Sequence, residues 1–278
     1  MVIVQLWGGL GNQMFQYALH LSYLQKNISS KLDTAHYKTD NGFNGYELES
    51  IFNVKGNYTY NPERLFVKLT GKLFHKIFNA PYRENNEIFG CYTPKVADLK
   101  FGFIKGYWQT EKYFKPIENI IRKKFVFPAL NDQRNIDLLH QINTTNAVSV
   151  HIRRGDYLLN NRDWAMGFNY YQKAIDLIKE KIDDPYFFIF SDDINWAKEN
   201  IQEKNIAFVD WNQKEQSYID MQLMSNCKHN IIANSSFSWW GAWLNNNSSK
   251  IVIAPDQWLP IIKGTREIIP ERWIKISF

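Results

Sequence analysis

The second half of the chain alternates apolar runs with amphipathic segments, a pattern typical of strands alternating with helices. Its clearest run, YFFIF at 186–190, is apolar throughout, as expected of a strand buried on both faces of a parallel sheet. Further strands are predicted at 147–152, 206–209, 230–233 and 251–254, and helices at 169–182 and 216–226. Because strands and helices alternate, this half predicts a doubly wound parallel sheet.

The first half opens on a similar unit of strand, glycine turn and helix. VIVQL at 2–6 predicts a buried strand, and the turn that follows contains Gly8, Gly9 and Gly11. Apolar residues then recur at helical spacing from Met14 onward. A strand that leads through a glycine turn into a helix points backbone N–H groups at a polar or anionic ligand.

A polar segment, NTTN at 143–146, separates the two halves. Helices are predicted before it at 116–125 and 132–142, and the clear strand–helix alternation begins after it. We therefore place the domain boundary here, with an N-terminal lobe at 1–146 and a C-terminal lobe at 147–278.

One predicted helix of the first half, at 62–78, combines an apolar stripe with a row of basic residues. The stripe comprises Phe66, Leu69, Leu73 and Ile77, and the basic row comprises Arg64, Lys68, Lys72 and Lys76. A solvated face is the favoured explanation of the basic row. The alternative is peripheral contact with an anionic membrane that carries a lipid-linked glycan.

Polar side chains cluster immediately after the first strand of the second half. His151 lies at its end, and Arg153, Arg154, Gly155 and Asp156 follow. Ligands of open α/β sheets bind just beyond the carboxyl ends of strands. Guanidinium groups stay charged and match phosphate oxygens with paired N–H donors. The cluster therefore predicts a diphosphate site, with an Arg–Asp ion pair at a strand end as the plainer alternative.

Two other polar loops are expected at the same edge of the sheet. They contain Asp192 and Asp193 after one strand, and Asn234, Ser235, Ser236 and Ser238 after another. Hydroxyl groups at a helix N-terminus would add phosphate contacts, although capping alone explains one of the serines. Adjacent aspartates could hold Mg²⁺ or Mn²⁺. We favour a helix cap at Asp193 and a nucleoside contact at Asp192, because the arginine pair already neutralises phosphate.

The glycine turn of the first half must also be compared with the fingerprint of dinucleotide-binding folds. Gly9 and Gly11 match its start, and Asp33 lies about 20 residues further on, near the position that binds a ribose. However, Met14 replaces the third glycine, and the strand predicted at 30–33 is weak. A nicotinamide or flavin site is therefore the less favoured alternative.

Composition and charge narrow the classes of function. Aromatic residues make up 16% of the 278 residues, which suits saccharide binding and equally a packed core. Lys and Arg exceed Asp and Glu by 33 to 28, too small an excess for a nucleic-acid-binding surface. Cys91 and Cys227 are far apart, so no disulfide framework or zinc-ligand spacing is visible. With neither a signal peptide nor a membrane-spanning run, we expect a cytoplasmic, soluble protein.

Four motifs occur in order along nearly the whole chain: GGLGNQMFQYA at 8–18, GYWQTEKYF at 106–114, HIRRGDY at 151–157 and NSSFSWWGAWL at 234–244. Together they resemble the motifs of the α-1,2-fucosyltransferases of glycosyltransferase family eleven. The resemblance implies an α/β fold of the GT-B type, with two Rossmann-like lobes and a cleft between them. The N-terminal lobe would bind the acceptor and the C-terminal lobe would bind GDP-fucose.

The resemblance also implies the reaction. Family members transfer L-fucose from GDP-fucose to the 2-hydroxyl of a terminal galactose, inverting the anomeric centre with no metal or other cofactor. Arg153 would hold the β-phosphate and stabilise the departing GDP, while Arg154 would support the loop or the phosphates. His151 would lie near the guanosine, and Asp220 resembles an acid that contacts guanine in related fucosyltransferases. Ser236 and Ser238 would complete the phosphate site.

The acceptor side and the general base follow less directly. Asn12 and Gln13 would reach the donor or acceptor sugar, Trp108 could stack on a sugar, and Glu111 could hold its hydroxyls. Asp156 is the first candidate for the base that deprotonates the acceptor, with Glu111 and Asp163 behind it. Asp156 could instead only brace the neighbouring arginine.

Other classes of protein explain fewer of these features. A lectin module would account for the aromatic residues but not for the arginine pair. The serious rival is a nucleotide-sugar transferase of the same scaffold that uses another donor.

Overall fold

A computed structural model of the protein describes residues 1–39, 44–78, 89–160, 162–259 and 265–277, without the side chains of 72–78, 160 and 162. The strands are β1 Val2–Gln5, β2 Ser30–Asp33, β3 Gly102–Ile104, β4 Asn146–Ile152, β5 Pro185–Ser191, β6 Ile206–Val209, β7 His229–Ile231, β8 Val252–Pro255 and β9 Ile274–Ile276. The helices are α1 Leu10–Gln25, α2 Leu48–Phe52, α3 Asn61–Phe78, α4 Pro94–Ala97, α5 Glu118–Lys124, α6 Gln133–Thr144, α7 Gly155–Asn160, α8 Phe168–Lys179, α9 Ile194–Asn200, α10 Tyr218–Asn226 and α11 Ser236–Leu244. These elements form two compact units, 1–128 and 129–278.

Unit 1–128 is built on a parallel sheet in the order β2-β1-β3. Val2 pairs with Ser30 on one side and with Gly102 on the other. The predicted first strand is therefore the central one, and α1 follows it directly, almost entirely buried. The glycine turn between them places the N-terminus of α1 at the carboxyl edge of this sheet.

Unit 129–278 contains a parallel sheet in the order β6-β5-β4-β7-β8-β9. The chain runs outward from β4 to β6, crosses back to β7 beside β4, and continues outward to β9. This is the order of a doubly wound Rossmann sheet, and the strand order reverses between β4 and β7. Two units with parallel sheets are what the GT-B type requires of its lobes, so the predicted α/β fold class is confirmed.

The boundary between the units lies earlier than the predicted one at 146/147. Helix α6 packs against β4 and α10, and its Leu138 and Ile142 are buried. It therefore belongs to the core of the unit that starts at residue 129. The polar segment that suggested a boundary is instead a tight connection between a helix and the strand it covers.

The interior of unit 129–278 contains a cluster of tryptophans. Trp239, Trp240 and Trp243 project from α11 and are fully buried, with ring centroids 5.0–6.2 Å apart. The indole of Trp239 also donates a hydrogen bond to the carbonyl of Ile268 at 2.8 Å. These aromatic residues fill the core, as the plainer interpretation of the aromatic content predicts.

Helix α3 buries a different face from the one its apolar stripe suggests. Val67 is fully buried, whereas Leu65, Phe66 and Leu69 are 58–60% exposed. Lys68 lies over the ring of Phe103 at 4.0 Å. The side chains of the other stripe and basic positions, from 72 onward, lie outside the described residues. Within the described part of the chain, no helix has the length and hydropathy of a membrane span.

Candidate active site

Three polar loops meet at the carboxyl edge of the larger sheet. They follow β4, β5 and β7, which are neighbours in the order β5-β4-β7. The loop after β4 and the loop after β7 flank the point at which the strand order reverses, the usual ligand site of such sheets. Tyr157 connects these two loops, because its hydroxyl donates a hydrogen bond to the carbonyl of Asn234 at 2.9 Å.

Arg153 lies at this edge between two carboxylates. Its Nη2 is 2.9 Å from Asp156 and its Nη1 is 3.0 Å from Asp192, and the side chain is 29% exposed. Burial alone would lower the pKa of Arg153, but the two carboxylates outweigh it and raise the pKa. Each terminal nitrogen carries a second hydrogen and Nε carries another, so the guanidinium has N–H groups beyond those two contacts. The plainer alternative, an ion pair at the strand end, is thus present, and it leaves donors for a ligand.

Arg154 is fixed more tightly and serves the loop. Its Nε donates to Asp193 at 3.1 Å, and its guanidinium stacks on Trp196 at 4.1 Å. Asp193 also caps α9 by accepting a hydrogen bond from the backbone of Trp196. The predicted roles of Arg154 as a support and of Asp193 as a helix cap agree with this geometry.

Asp192 organises the turn after β4. One oxygen accepts a hydrogen bond from the backbone N–H of Arg154 at 2.8 Å, and the other pairs with Arg153. A Cβ atom on Gly155 would lie 3.1 Å from that second oxygen. A side chain at position 155 would therefore press against Asp192, which would have to shift by a few tenths of an ångström. Both oxygens of Asp192 thus hold the arginine loop, and its expected nucleoside contact stays a prediction.

His151 is buried next to the first turn of α11, with its ring 5.7 Å from that of Phe237. Burial, with a smaller contribution from Arg153, lowers the pKa of His151 to about 3. The ring is therefore neutral and adds no charge for a phosphate. Its Nδ1 is buried without a hydrogen-bond partner among the described residues, so the ring has a polar atom to offer a ligand.

The loop after β7 offers fewer hydroxyls than predicted. Ser235 caps α11 by accepting from the N–H of Phe237, and the buried Ser238 donates to the carbonyl of Ser235. The amide of Asn234 is buried and donates to the carbonyls of Trp164 and Trp258. Asn234, Ser235 and Ser238 thus shape the loop. Ser236, at the first position of the helix, is partly exposed, and its expected contact with phosphate stays a prediction.

Asp220 lies in the first turn of α10 and is partly exposed. One carboxylate oxygen accepts a hydrogen bond from Asn212 at 2.8 Å. Burial raises the pKa of Asp220 to about 8, and the hydrogen bond from Asn212 offsets this in part. An acid whose pKa is raised this far, near the carboxyl edge of a Rossmann sheet, is a candidate for ligand binding.

In unit 1–128, the predicted sugar contacts Gln13 and Trp108 need correction. Gln13 is fully buried, donates to the carbonyls of Gly8 and Gly45, and accepts from the N–H of Glu47. Trp108 is only 1% exposed, so its ring has no face for a sugar. Gln13 instead supports the loop after β1, and Trp108 packs edge-to-face against Tyr113.

In the same unit, Asn12 and Glu111 are partly exposed. Asn12 accepts a hydrogen bond from Gln109 at 2.7 Å, and Glu111 lies 3.6 Å from Lys115. Sequence reasoning missed Trp7, which lies at the same strand end and stacks on Tyr107 at 4.1 Å. Its place immediately after the first apolar run was the signal available.

The two adjacent aspartates, Asp192 and Asp193, are each paired with an arginine. No cluster of three or more His, Cys, Asp or Glu side chains suited to a metal ion occurs among the residues described. Asp33, the candidate ribose ligand of a dinucleotide fold, is buried and paired with Arg64 at 3.5 Å.

Comparison of the sequence with known proteins shows that the chain is a glycosyltransferase. The chain belongs to glycosyl transferase family 11, whose family model matches residues 69–276. An alpha-1,2-colitosyltransferase of Escherichia coli is 36% identical over 295 aligned positions, covering 99% of both chains. Galactoside alpha-(1,2)-fucosyltransferase 1 of Homo sapiens is 26% identical, over 71% of this chain and 59% of its own. Fucosyltransferase NodZ of Bradyrhizobium aligns with a TM-score of 0.49 at 14% identity, covering 86% of this chain and 91% of that one.

Proposed function

We propose that this protein transfers L-fucose from GDP-fucose to the 2-hydroxyl of a terminal galactose in a glycan, with inversion and without a metal ion or other cofactor. The observation that carries the proposal is the partly exposed guanidinium of Arg153, which lies where the strand order of a Rossmann sheet reverses. Family membership supports glycosyl transfer, and the name of the human relative supports the galactoside acceptor.

Arg153 would act on the departing diphosphate. Cleavage of a glycosyl–phosphate bond passes through an oxocarbenium-like state, in which negative charge grows on the leaving group. A cation fixed in advance stabilises this state more than the ground state. Asp156 and Asp192 fix the cation in advance, because they hold the guanidinium of Arg153 at the end of the strand.

The charges at this edge support a role for Asp156 as the general base. Arg153 and Arg154 face three carboxylates, Asp156, Asp192 and Asp193. A diphosphate therefore meets no surplus of positive charge at this edge, although Arg153 keeps N–H groups that it could reach. Asp156 is the carboxylate it would displace, because Asp192 is also held by backbone. Once displaced, Asp156 could accept the proton of the attacking hydroxyl.

The direct test is a transfer assay with GDP-fucose and a panel of β-galactosides, run with and without EDTA. We expect an α-1,2-linked fucosyl product from the β-linked donor, formed at the same rate in EDTA. Isothermal titration should show binding of GDP and much weaker binding of UDP and ADP. A product linked elsewhere, or activity abolished by EDTA, would contradict the proposal.

A second donor is favoured by one specific observation, the 36% identity to an alpha-1,2-colitosyltransferase over nearly the whole chain. Colitose is the 3-deoxy counterpart of fucose, so both donors would place the same GDP on the same arginine. The same assay with GDP-colitose distinguishes them, because the preferred donor is the one with the higher kcat/KM.

Asp220 gives the proposal a pH signature. Its pKa of about 8 means that the carboxyl group is mostly protonated at neutral pH, whereas accepting the N–H donors of guanine requires the carboxylate. GDP binding would then release a proton, so affinity should rise by up to about tenfold per pH unit below pH 8 and level off above it. Titrations of GDP across this range should lose that slope in Asp220→Asn. Equal slopes in both proteins would exclude the carboxylate as the cause.

Peripheral membrane contact is proposed for the exposed face of α3. Leu65 and Phe66 lie one turn before Leu69 on α3, and these exposed side chains could enter a lipid headgroup region. Burying one such side chain contributes about 1.5–3 kcal/mol, so Phe66→Ser with Leu69→Ser should reduce vesicle binding at least tenfold. Flotation with phosphatidylglycerol vesicles measures this, with the exposed Val126→Ser as control. Equal flotation of all three proteins would exclude the helix as the contact.

A further inference from the structure

Two asparagine side chains from different elements pair with each other beside β6. Asn135 lies in the first turn of α6, and Asn212 follows β6 by three residues. Asn135 donates to Asn212 at 2.8 Å, and Asn212 donates back at 3.0 Å. Both are buried, at 2% and 7% exposure. The result is a closed amide pair that fixes both side chains in orientation.

A carboxylate lies at each end of this pair. The second hydrogen of the Asn135 amide goes to Asp132 at 2.7 Å, and Asp132 also caps α6. The second hydrogen of the Asn212 amide goes to Asp220 at 2.8 Å. Trp211 adds a hydrogen bond from its indole to the Asn135 oxygen. The N-terminus of α6 is thus linked through two amides to one oxygen of Asp220.

Helix capping explains only one end of this chain of hydrogen bonds. Asp132 and Asn135 satisfy the first turn of α6, but neither needs Asn212 or Asp220 for that purpose. Burying a carboxyl group is costly unless it is paired, and Asp220 receives one side-chain hydrogen bond among the described residues. The hydrogen bond from Asn212 holds the carboxyl group of Asp220 in one orientation. Its second oxygen can still accept a hydrogen bond from a ligand.

We propose that Asn212 and Asn135 are positioning residues that orient Asp220 toward the N1–H and the 2-amino group of guanine, and so set the nucleobase specificity of the enzyme. This inference rests on the proposed use of a GDP-linked donor. Guanine presents two adjacent donors to a carboxylate, whereas hypoxanthine presents only N1–H and adenine presents an acceptor at N1. A carboxylate free to rotate would lose the second hydrogen bond first.

The test compares the binding of GDP and IDP, which differ only in the 2-amino group, by isothermal titration. The wild-type protein should bind GDP about tenfold or more tightly than IDP, as expected for one hydrogen bond to a charged group. Asn212→Ala should bring the ratio of the two dissociation constants close to one while IDP affinity changes little. Asn135→Ala, which leaves Asn212 in place, should lower the ratio partially.

Asn245→Ala is the matched control. Asn245 is also a buried asparagine with two donated hydrogen bonds, to Cys227 and Asn230, but it is not part of the pair. Its replacement should lower the melting temperature and leave the GDP-to-IDP ratio unchanged. A wild-type ratio in both Asn212→Ala and Asn135→Ala, or an equal fall in Asn245→Ala, would overturn the inference. If the wild-type protein does not prefer GDP to UDP and ADP, the proposed function fails instead.

Discussion

Replacing Arg153 with alanine is expected to lower kcat about a hundredfold or more, the scale of losing one fixed donor to a developing negative charge. The guanidinium of Arg153 is partly exposed where the strand order reverses. Asp156 and Asp192 flank it and fix its orientation. Steady-state kinetics with GDP-fucose and a β-galactoside measures the loss. KM for the donor should change less than kcat, because the contact strengthens as the bond to fucose breaks.

Two variants separate this role from a general effect of charge or folding. Arg153→Lys keeps the charge but cannot contact Asp156 and Asp192 with a planar fork, so it should recover only part of kcat. Arg122→Ala removes an arginine that pairs with Glu118 on α5, and it should leave kcat unchanged. Turnover near the wild-type value in Arg153→Ala, with melting temperatures equal, would remove Arg153 from the mechanism.

The sheet of unit 129–278 was predictable because most of its strands are long or continuously apolar. The predicted strands at 147–152 and 186–190 correspond to β4 and β5, which pair in parallel over seven residues. The short strands β3 and β9 were missed, since three residues carry no periodicity and β9 is only partly buried. Helix α2, five residues long, is also too short to show a helical period. Such elements depend on partners distant in sequence.

The location of the candidate site was predictable from the sequence. Which of its polar side chains face a ligand and which hold the loops was less predictable. Residue type and position after a strand placed Arg153 and Ser236 correctly at the carboxyl edge. Which polar side chains are used by the loop itself depends on tertiary hydrogen bonds, as at Gln13 and Asn234. The amide pair of Asn135 and Asn212 joins residues 77 positions apart, and no local pattern indicates it.

Trp239 to alanine is the substitution with the largest expected effect on stability. The ring is fully buried among Trp240, Trp243 and Trp273. Truncating a buried tryptophan removes its packing and leaves a cavity, which together lower the free energy of unfolding by about 3–5 kcal/mol. Because each kcal/mol shifts the melting temperature of a domain of this size by about 2–4 °C, calorimetry should resolve the change readily.

A matched pair of variants tests whether the tryptophan cluster supports the site. Trp239→Phe keeps a ring but leaves the carbonyl of Ile268 without its indole donor, so it should cost about 1–3 kcal/mol. Val126→Ala, at an exposed position, should change stability by less than about 0.5 kcal/mol. Since α11 carries Ser235 and Ser236 at its N-terminus, Trp239→Ala should also weaken GDP binding well below its melting temperature. Unchanged GDP affinity in folded Trp239→Ala would show that the cluster stabilises the fold without shaping the phosphate site.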